Sequence, residues 1–282
     1  MCRLAGIRQG DPPYLIAEIG TAHWGSVPLA CELVDMVAES GWQAAKFQMY
    51  VVGDFLSPGN PIAKHYSNCE FTATEWTWIR RHCNDVGVEF VASVFSPCLY
   101  EFYEKLEPAA LKVASSEARF GRCMDWAQQV DMPVLISTGM LDEDEIRRLL
   151  YLDIDDLTLM HCVSLYPHRA EASLVGWITR LNLIYGVAVG YSDHTAHTDG
   201  ALAASLAVWQ GAPVIEKHIV PGYDVAGPDS ECALDYAGML AYRQAVDTAY
   251  LLATQEAYQR SGMEMAQREA TERTKERGWR RP

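Results

Sequence analysis

The sequence predicts a single-domain α/β protein folded as a (β/α)8 TIM barrel. Three observations point there. Eight short β-type runs alternate strictly with helical stretches, an order that implies a parallel sheet. The chain has 282 residues, within the usual size of one such barrel. No G-x-G-x-x-G follows the first run, which argues against an open dinucleotide-binding sheet.

The elements follow in order. Tyr14 to Glu18 is the first strand. A helix runs from about Pro28 to Ser40, with Gly41 placed as its C-cap. Ala44 to Gln48 is the second strand. Val51 to Glu70 carries Gly, Pro and Asn and reads as irregular, and helix resumes near Thr74 and stops near Gly87. Val88 to Ser93 is the third strand, before a helix from about Pro97 to Leu106. Ala110 to Ser115 is the fourth, before Arg122 to Val130; Pro133 to Ser137 is the fifth, before Asp142 to Leu150. The acidic start of that last helix suits its dipole. Leu157 to Cys162 is the sixth strand, before Ala172 to Leu183; Val187 to Gly190 is the seventh, before Asp199 to Gln210. Pro213 to His218 is the eighth, before a long helix from Asp235 to beyond Tyr258. The barrel is expected over 1–260. Residues 261–282 are polar and Arg/Glu-rich and are expected to be a solvated helical tail.

Hydrophobic residues make up 49% of the chain, enough for a large core, and the net charge is −14. That balance argues against a nucleic-acid or anionic-membrane partner. The eight cysteines form no C-x-x-C pair, and the N-terminus has no apolar signal region. No apolar run approaches the roughly 18 residues of a membrane helix. Reduced thiols in the cytoplasm are the expectation.

Active sites of such barrels lie at the C-terminal strand ends, and every strand here delivers polar residues to that rim. The strands end, in order, on Glu18, on Lys46 and Gln48, on Ser93, on Lys112 and Ser115, and on Ser137. Ser164 and Tyr166 follow the sixth, Ser192 to His194 the seventh, and Glu216 to His218 close the eighth. Lysine is scarce, with six in the chain, and three of them fall here. Lys46 and Lys112, with the hydroxyls of Ser93, Ser115, Ser137 and Ser192, suit a small anion bearing a phosphate and a carboxylate. Lys217 follows Glu216 directly, so its side chain points to the opposite face and ranks lower. His194 and His218 end neighbouring strands and are candidate ligands for a first-row metal. His197 is the decoy, and His23 is a further candidate for the pocket.

These motifs resemble the catalytic barrel of the N-acetylneuraminate (sialic acid) synthase family over about residues 13 to 250. The matching stretches begin with Ile16-Ala17-Glu18-Ile19-Gly20, Lys46-Phe47-Gln48, Lys112-Val113-Ala114-Ser115 and Ser137-Thr138-Gly139-Met140. His161-Cys162, Tyr166-Pro167, Gly190-Tyr191-Ser192-Asp193-His194-Thr195, Glu216-Lys217-His218 and Gly227-Pro228-Asp229 continue them. The resemblance implies condensation of phosphoenolpyruvate with an N-acylated mannosamine or related sugar, with release of phosphate. Lys112, Ser115, Ser137 and Ser192 would hold the phosphate, and Lys46 and Ser93 the carboxylate. His194 and His218 would bind Mn2+, with Mg2+ or Co2+ as alternatives. Glu18 would steer the attacking water or stabilise a cationic intermediate. Gln48, Asn60, Glu117, Ser164, Tyr166 and Asp229 would position substrate. Family members are homodimers, so a homo-oligomer is expected.

The sequence departs from the family at several places. Ala22-His23-Trp24-Gly25 stands for Asn-His-Asn-Gly, and Ala92-Ser93-Val94-Phe95 for Ser-Thr-Pro-Phe. The 51–70 loop is shorter than usual. The antifreeze-like domain that typically follows the barrel, and its arginine, have no counterpart before Pro282. Two other readings compete. One is a Schiff-base aldolase or lyase using Lys112, and the other is a non-catalytic sugar-binding relative.

Overall fold

The computed structural model describes residues 4–57, 59–119, 121–223, 227–254, 265–267, 269 and 271. Eight parallel strands close into a barrel in sequence order, with β1 (Tyr14–Gly20) hydrogen-bonded to both β2 (Ala44–Met49) and β8 (Val214–His218). Between them lie β3 (Glu89–Val94), β4 (Ala110–Val113), β5 (Val134–Ser137), β6 (Leu157–His161) and β7 (Ala188–Asp193). The predicted fold is the observed one.

Strand parity sorts the side chains into two apolar layers. Tyr14, Ile16, Ala44, Val91, Ala110, Leu135, Met160 and Val214 point inward and fill the barrel's lower half, with Leu4 packed against them. Their neighbours Leu15, Ala17, Phe47, Phe90, Val113, Ile136, Val189 and Ile215 point outward and bury against the helices. On each strand the inward series turns polar as it continues upward. Ile16 is followed by Glu18, Ala44 by Lys46, Ala110 by Lys112, and Val214 by Glu216 and His218.

The helices are set by local signals. Ser26 caps α1 (Val27–Glu39) by accepting the Leu29 N–H. Thr72 and Glu75 form a capping box on α4 (Ala73–Val86), and Gly87 ends it at φ 76°. Asp142 and Glu145 do the same for α7 (Glu143–Leu149). The stretch read as irregular after β2 contains α2 (Val52–Phe55) and α3 (Ala63–Asn68). The outer ring is completed by α5 (Tyr100–Lys105), α6 (Gly121–Ala127), α8 (Gly176–Tyr185), α9 (Leu202–Trp209) and α10 (Tyr236–Ala253).

Several boundaries differ from expectation by one to four residues. The seventh strand extends three residues past Gly190 because Tyr191, Ser192 and Asp193 pair with β6 and β8 despite their polarity. The sixth helix begins at Gly176, after a short 3-10 turn over Ala170–Ala172. The last helix was expected beyond Tyr258, which lies outside the described residues. Of the expected tail only 265–267, 269 and 271 are described, as exposed helix. No helix among the described residues is long and apolar enough to cross a membrane.

Candidate active site

The inward polar residues meet in a cavity of about 320 Å3 at the C-terminal mouth of the barrel. Glu18, Lys46, Gln48, Ser93, Lys112, Ser137, Ser192, His194 and His218 line it from the strand ends. Ser115, Ser164, Tyr166 and Asp229 line it from the loops. Parallel pairing explains the convergence: Glu18 sits opposite Lys46 and His218, and Ser93 opposite Lys112.

Electrostatics divide the cavity into a paired and an unpaired part. Lys46 forms an ion pair with Glu18 and lies 3.7 Å from Glu216 Oε2. Gln48 Nε2 donates to Glu18 Oε1 at 3.2 Å. Burial pushes the Glu18 carboxyl well above the ordinary carboxylate range, an effect Lys46 only partly offsets. Glu216 is equally buried, yet Lys112, Lys46 and the Ser192 hydroxyl at 2.8 Å keep its carboxyl low and ionised.

Lys112 is different. Its Nζ donates to Ser137 Oγ at 2.6 Å and to Val113 O at 3.3 Å, and it has no ion-pair partner among the described residues. Burial lowers its pKa. Around it, Ser115 Oγ touches Cys162 Sγ at 3.4 Å. The buried hydroxyls of Ser93 and Ser164 have no hydrogen-bond partner among the described residues. A buried ammonium beside unsatisfied hydroxyls has the chemistry that suits an anion. Gly139 passes so close that a Cβ there would lie 2.3 Å from Ser164 Oγ and 2.9 Å from Ser115 Oγ.

The two histidines face each other, with ring centroids 5.7 Å apart. Given metal–nitrogen bonds of ~2.1 Å, rings sharing one ion lie roughly 5–6 Å apart. Burial pushes both imidazoles down to about 3, so each is in the neutral, ligating form. His194 Nδ1 lies 2.8 Å from the Val163 carbonyl, which places the proton on Nδ1, and its Nε2 lies 3.2 Å from Ser192 Oγ on the cavity side. His218 Nδ1 is 3.9 Å from Asp229 Oδ2. Among the described residues no group of three or more His, Cys, Asp and Glu side chains is arranged to hold a metal. Two neutral imidazoles would hold an ion there only with substrate or water completing its coordination.

Three expectations are corrected. Asn60 does not reach the cavity; its Oδ1 accepts the Ile62 N–H at 3.1 Å and shapes the turn into α3. Glu117 also stays outside the lining, half-buried in the 3-10 turn after Ser116. His23 lies outside the barrel wall, stacked on Phe71 at 4.4 Å. Conversely, Glu216 lines the cavity and had been given no role, although its shared parity with His218 was the signal. Tyr66, Phe95, Ser116 and Met140 also line it. Lys217 faces outward, as parity required, and lies 3.4 Å from Asp193 Oδ1. His197 stacks on Tyr223 away from the site.

Comparison with known proteins identifies the family. Among relatives, an uncharacterized protein of Methanocaldococcus jannaschii is 31% identical over 233 residues, covering 81% of this chain and 68% of its own length. An N,N'-diacetyllegionaminic acid synthase of Legionella pneumophila is 30% identical, with 79% of this chain and 68% of the relative covered. An N-acetylneuraminate-9-phosphate synthase of Drosophila melanogaster is 28% identical, with 84% and 68% covered. An N-acetylneuraminic acid synthetase structure from Leptospira borgpetersenii superposes with a TM-score of 0.85 at 23% identity, covering 95% of this chain and 94% of that one. A truncated 3-deoxy-D-arabino-heptulosonate 7-phosphate synthase from Thermotoga maritima has the same fold at a TM-score of 0.69 and 12% identity, with 88% and 91% covered. The NeuB family model matches residues 33–257, and the chain belongs to the NeuB family.

Proposed function

We propose that the protein condenses phosphoenolpyruvate with an open-chain aldose or N-acylated amino sugar, forming a nonulosonic-type 2-keto sugar acid and releasing phosphate. The observation that carries this reading is Lys112, a buried ammonium ringed by serine hydroxyls and facing a pair of neutral histidines across one cavity. Lys112, Ser115, Ser137, Ser164 and Ser192 hold the phosphate, and Lys46 and Ser93 the carboxylate. His194 and His218 hold a divalent ion, Mn2+ in the first instance, which when bound supplies Lewis-acid polarisation of the aldehyde.

The residues then act in order. Tyr166, packed at a tilt against His194 with centroids 4.0 Å apart, together with Gln48 and Asp229, orients the sugar so that its aldehyde carbon meets C3 of the enol. That carbon–carbon bond forms, and the aldehyde oxygen takes up a proton. Water adds to C2, and Glu18, whose burial raises its proton affinity, accepts the proton released. The C2–O bond to phosphate breaks and the added hydroxyl's remaining proton leaves with the phosphate, giving the ketone, while Lys112 and the serines stabilise the departing phosphate. A cytoplasmic homodimer is the expected working form. Light scattering at about twice the 31.5 kDa chain mass checks its assembly.

The test is phosphate release from phosphoenolpyruvate by purified protein with Mn2+ and a panel of aldoses. Release only when a sugar is present supports the reading; none with any sugar, metal replete, overturns it. The lowered pKa of Lys112 favours one second reading, a Schiff-base lyase. Covalent capture of pyruvate at Lys112 by borohydride would select that reading instead.

A further inference from the structure

The outer face of β7 and β8 holds a buried polar knot that the proposed chemistry does not use. Elsewhere on that face the two strands present Val189, Tyr191 and Ile215 to the helices. Asp193 and Lys217 interrupt this apolar layer. Both side chains are fully buried, with Lys217 Nζ 3.4 Å from Asp193 Oδ1. Asp193 Oδ1 also accepts the Thr195 N–H at 2.9 Å and the Thr195 hydroxyl at 2.7 Å. Its Oδ2 accepts the Tyr242 hydroxyl, carried by α10, at 2.8 Å. Lys217 Nζ donates to the Thr195 carbonyl at 2.7 Å.

Strand register puts this knot directly behind the two histidines. Asp193 and Lys217 are partners in the last rung of the β7–β8 ladder. His194 and His218 are the next residue on each chain, and alternation turns both toward the cavity. The backbone pairing of β7 with β8 stops at that rung, one residue short of the imidazoles. Lys217 spans the gap instead. It bonds to the residues on either side of His194 and is itself the neighbour of His218. Stability alone does not account for such a pair, because well-packed apolar side chains of similar volume often serve as well or better. A fully bonded buried network adds rigidity and a single geometry.

We propose that Asp193, Thr195, Lys217 and Tyr242 are positioning residues that hold His194 and His218 at the separation one divalent ion requires. The inference rests on the metal half of the synthase reading. None of the four touches the ion or the substrate; they act through the backbone that carries the two imidazoles. Partners behind metal-ligating side chains typically contribute about 10- to 100-fold in metal affinity.

The experiment measures Mn2+ binding to the purified protein without substrate, by the electron paramagnetic resonance of the free ion, well below the Tm of every variant. Phosphoenolpyruvate binding without metal is measured alongside. Tyr242→Phe and Thr195→Val each take one hydroxyl from the knot and keep the side chain's shape. Each is expected to weaken Mn2+ binding at least about tenfold and to leave metal-free phosphoenolpyruvate binding unchanged. Thr195→Ser keeps the hydroxyl and is expected to keep the Mn2+ affinity. Val246→Ala, one turn further along the buried face of α10, is the comparison for lost stability. It is expected to lower Tm at least as much as Tyr242→Phe does, without weakening Mn2+. The inference is overturned, and the synthase reading left standing, if Tyr242→Phe and Thr195→Val bind Mn2+ as tightly as the unmodified protein. The same holds if Val246→Ala or Thr195→Ser weakens Mn2+ equally, or if phosphoenolpyruvate binding falls in step with it. No Mn2+ binding by the unmodified protein overturns both the inference and the metal half of the reading.

Discussion

Gly139 has no side chain, and the structure shows what one would displace. A Cβ there would meet Ser164 Oγ at 2.3 Å, Cys162 Sγ at 2.8 Å and Ser115 Oγ at 2.9 Å. All three are the ends of small side chains that rotate aside at little energetic cost, so folding tolerates the change. The hydroxyls aimed at the phosphate do not. Gly139→Ala is expected to raise the KM for phosphoenolpyruvate about tenfold or more, since each charge-assisted bond is worth ~1.5–3 kcal/mol, with Tm nearly unchanged. Thermal melts and steady-state kinetics on the same preparation check both halves. His23 illustrates the opposite case, a side chain that matters to stability and not to the site. Burial pushes it down to about 3, below the ~6.5 of the unfolded chain. Its stabilisation is complete above pH 6.5 and is lost as pH falls toward 3, because the unfolded state binds the proton first. Between pH 7 and 5 that loss is about 2 kcal/mol at most. His23→Phe keeps a ring beside Phe71 and is expected to flatten the acid limb of a pH–stability curve. An unchanged slope would show that His23 does not contribute.

At the scale of elements, β7 and β8 carry the most chemistry and tolerate the least. Gly190 lies where the two strands approach, and a Cβ there would sit 2.7 Å from the Val214 carbonyl and 2.6 Å from Met160 Sδ. Backbone cannot rotate aside. Gly190→Ala is expected to cost about 1–3 kcal/mol, read as a fall in denaturation midpoint, and to loosen Mn2+ binding by moving His194 relative to His218. These same strands show what the sequence made legible. Alternation placed Glu18, Lys46, Lys112 and His218 on the inner face, and it put Lys217 outside. It should have placed Glu216 inside too, two residues before His218. The seventh strand was read short because its last residues are polar, and a polar run ordinarily signals a loop. At a barrel's catalytic end polar residues are buried on a strand, so that cue inverts. Asn60 and Glu117 were misjudged for another reason. They sit in turns, where no periodicity links position in sequence to direction in space.

For the whole molecule, the site can be tested without any turnover. The barrel closes through β1 and β8, so the residues of the cavity come from all round a single cooperative ring rather than from one mobile loop. A ligand that bridges them binds the folded state and not the unfolded chain, and stabilises it by mass action. Saturation with Mn2+ and phosphoenolpyruvate at about a hundredfold over Kd should add ~2.7 kcal/mol. For a chain of this size that is a rise of roughly 5–10 °C in Tm. His194→Ala should abolish the metal-dependent part of the shift while leaving a smaller response to phosphoenolpyruvate through Lys112 and the serines. Lys112→Met should do the reverse, keeping the response to Mn2+ and losing that to phosphoenolpyruvate. If both variants lose both responses, the two halves of the cavity are not separable as the geometry requires. If the unmodified protein shows no shift with either ligand, the residues gathered at this mouth serve some other small molecule.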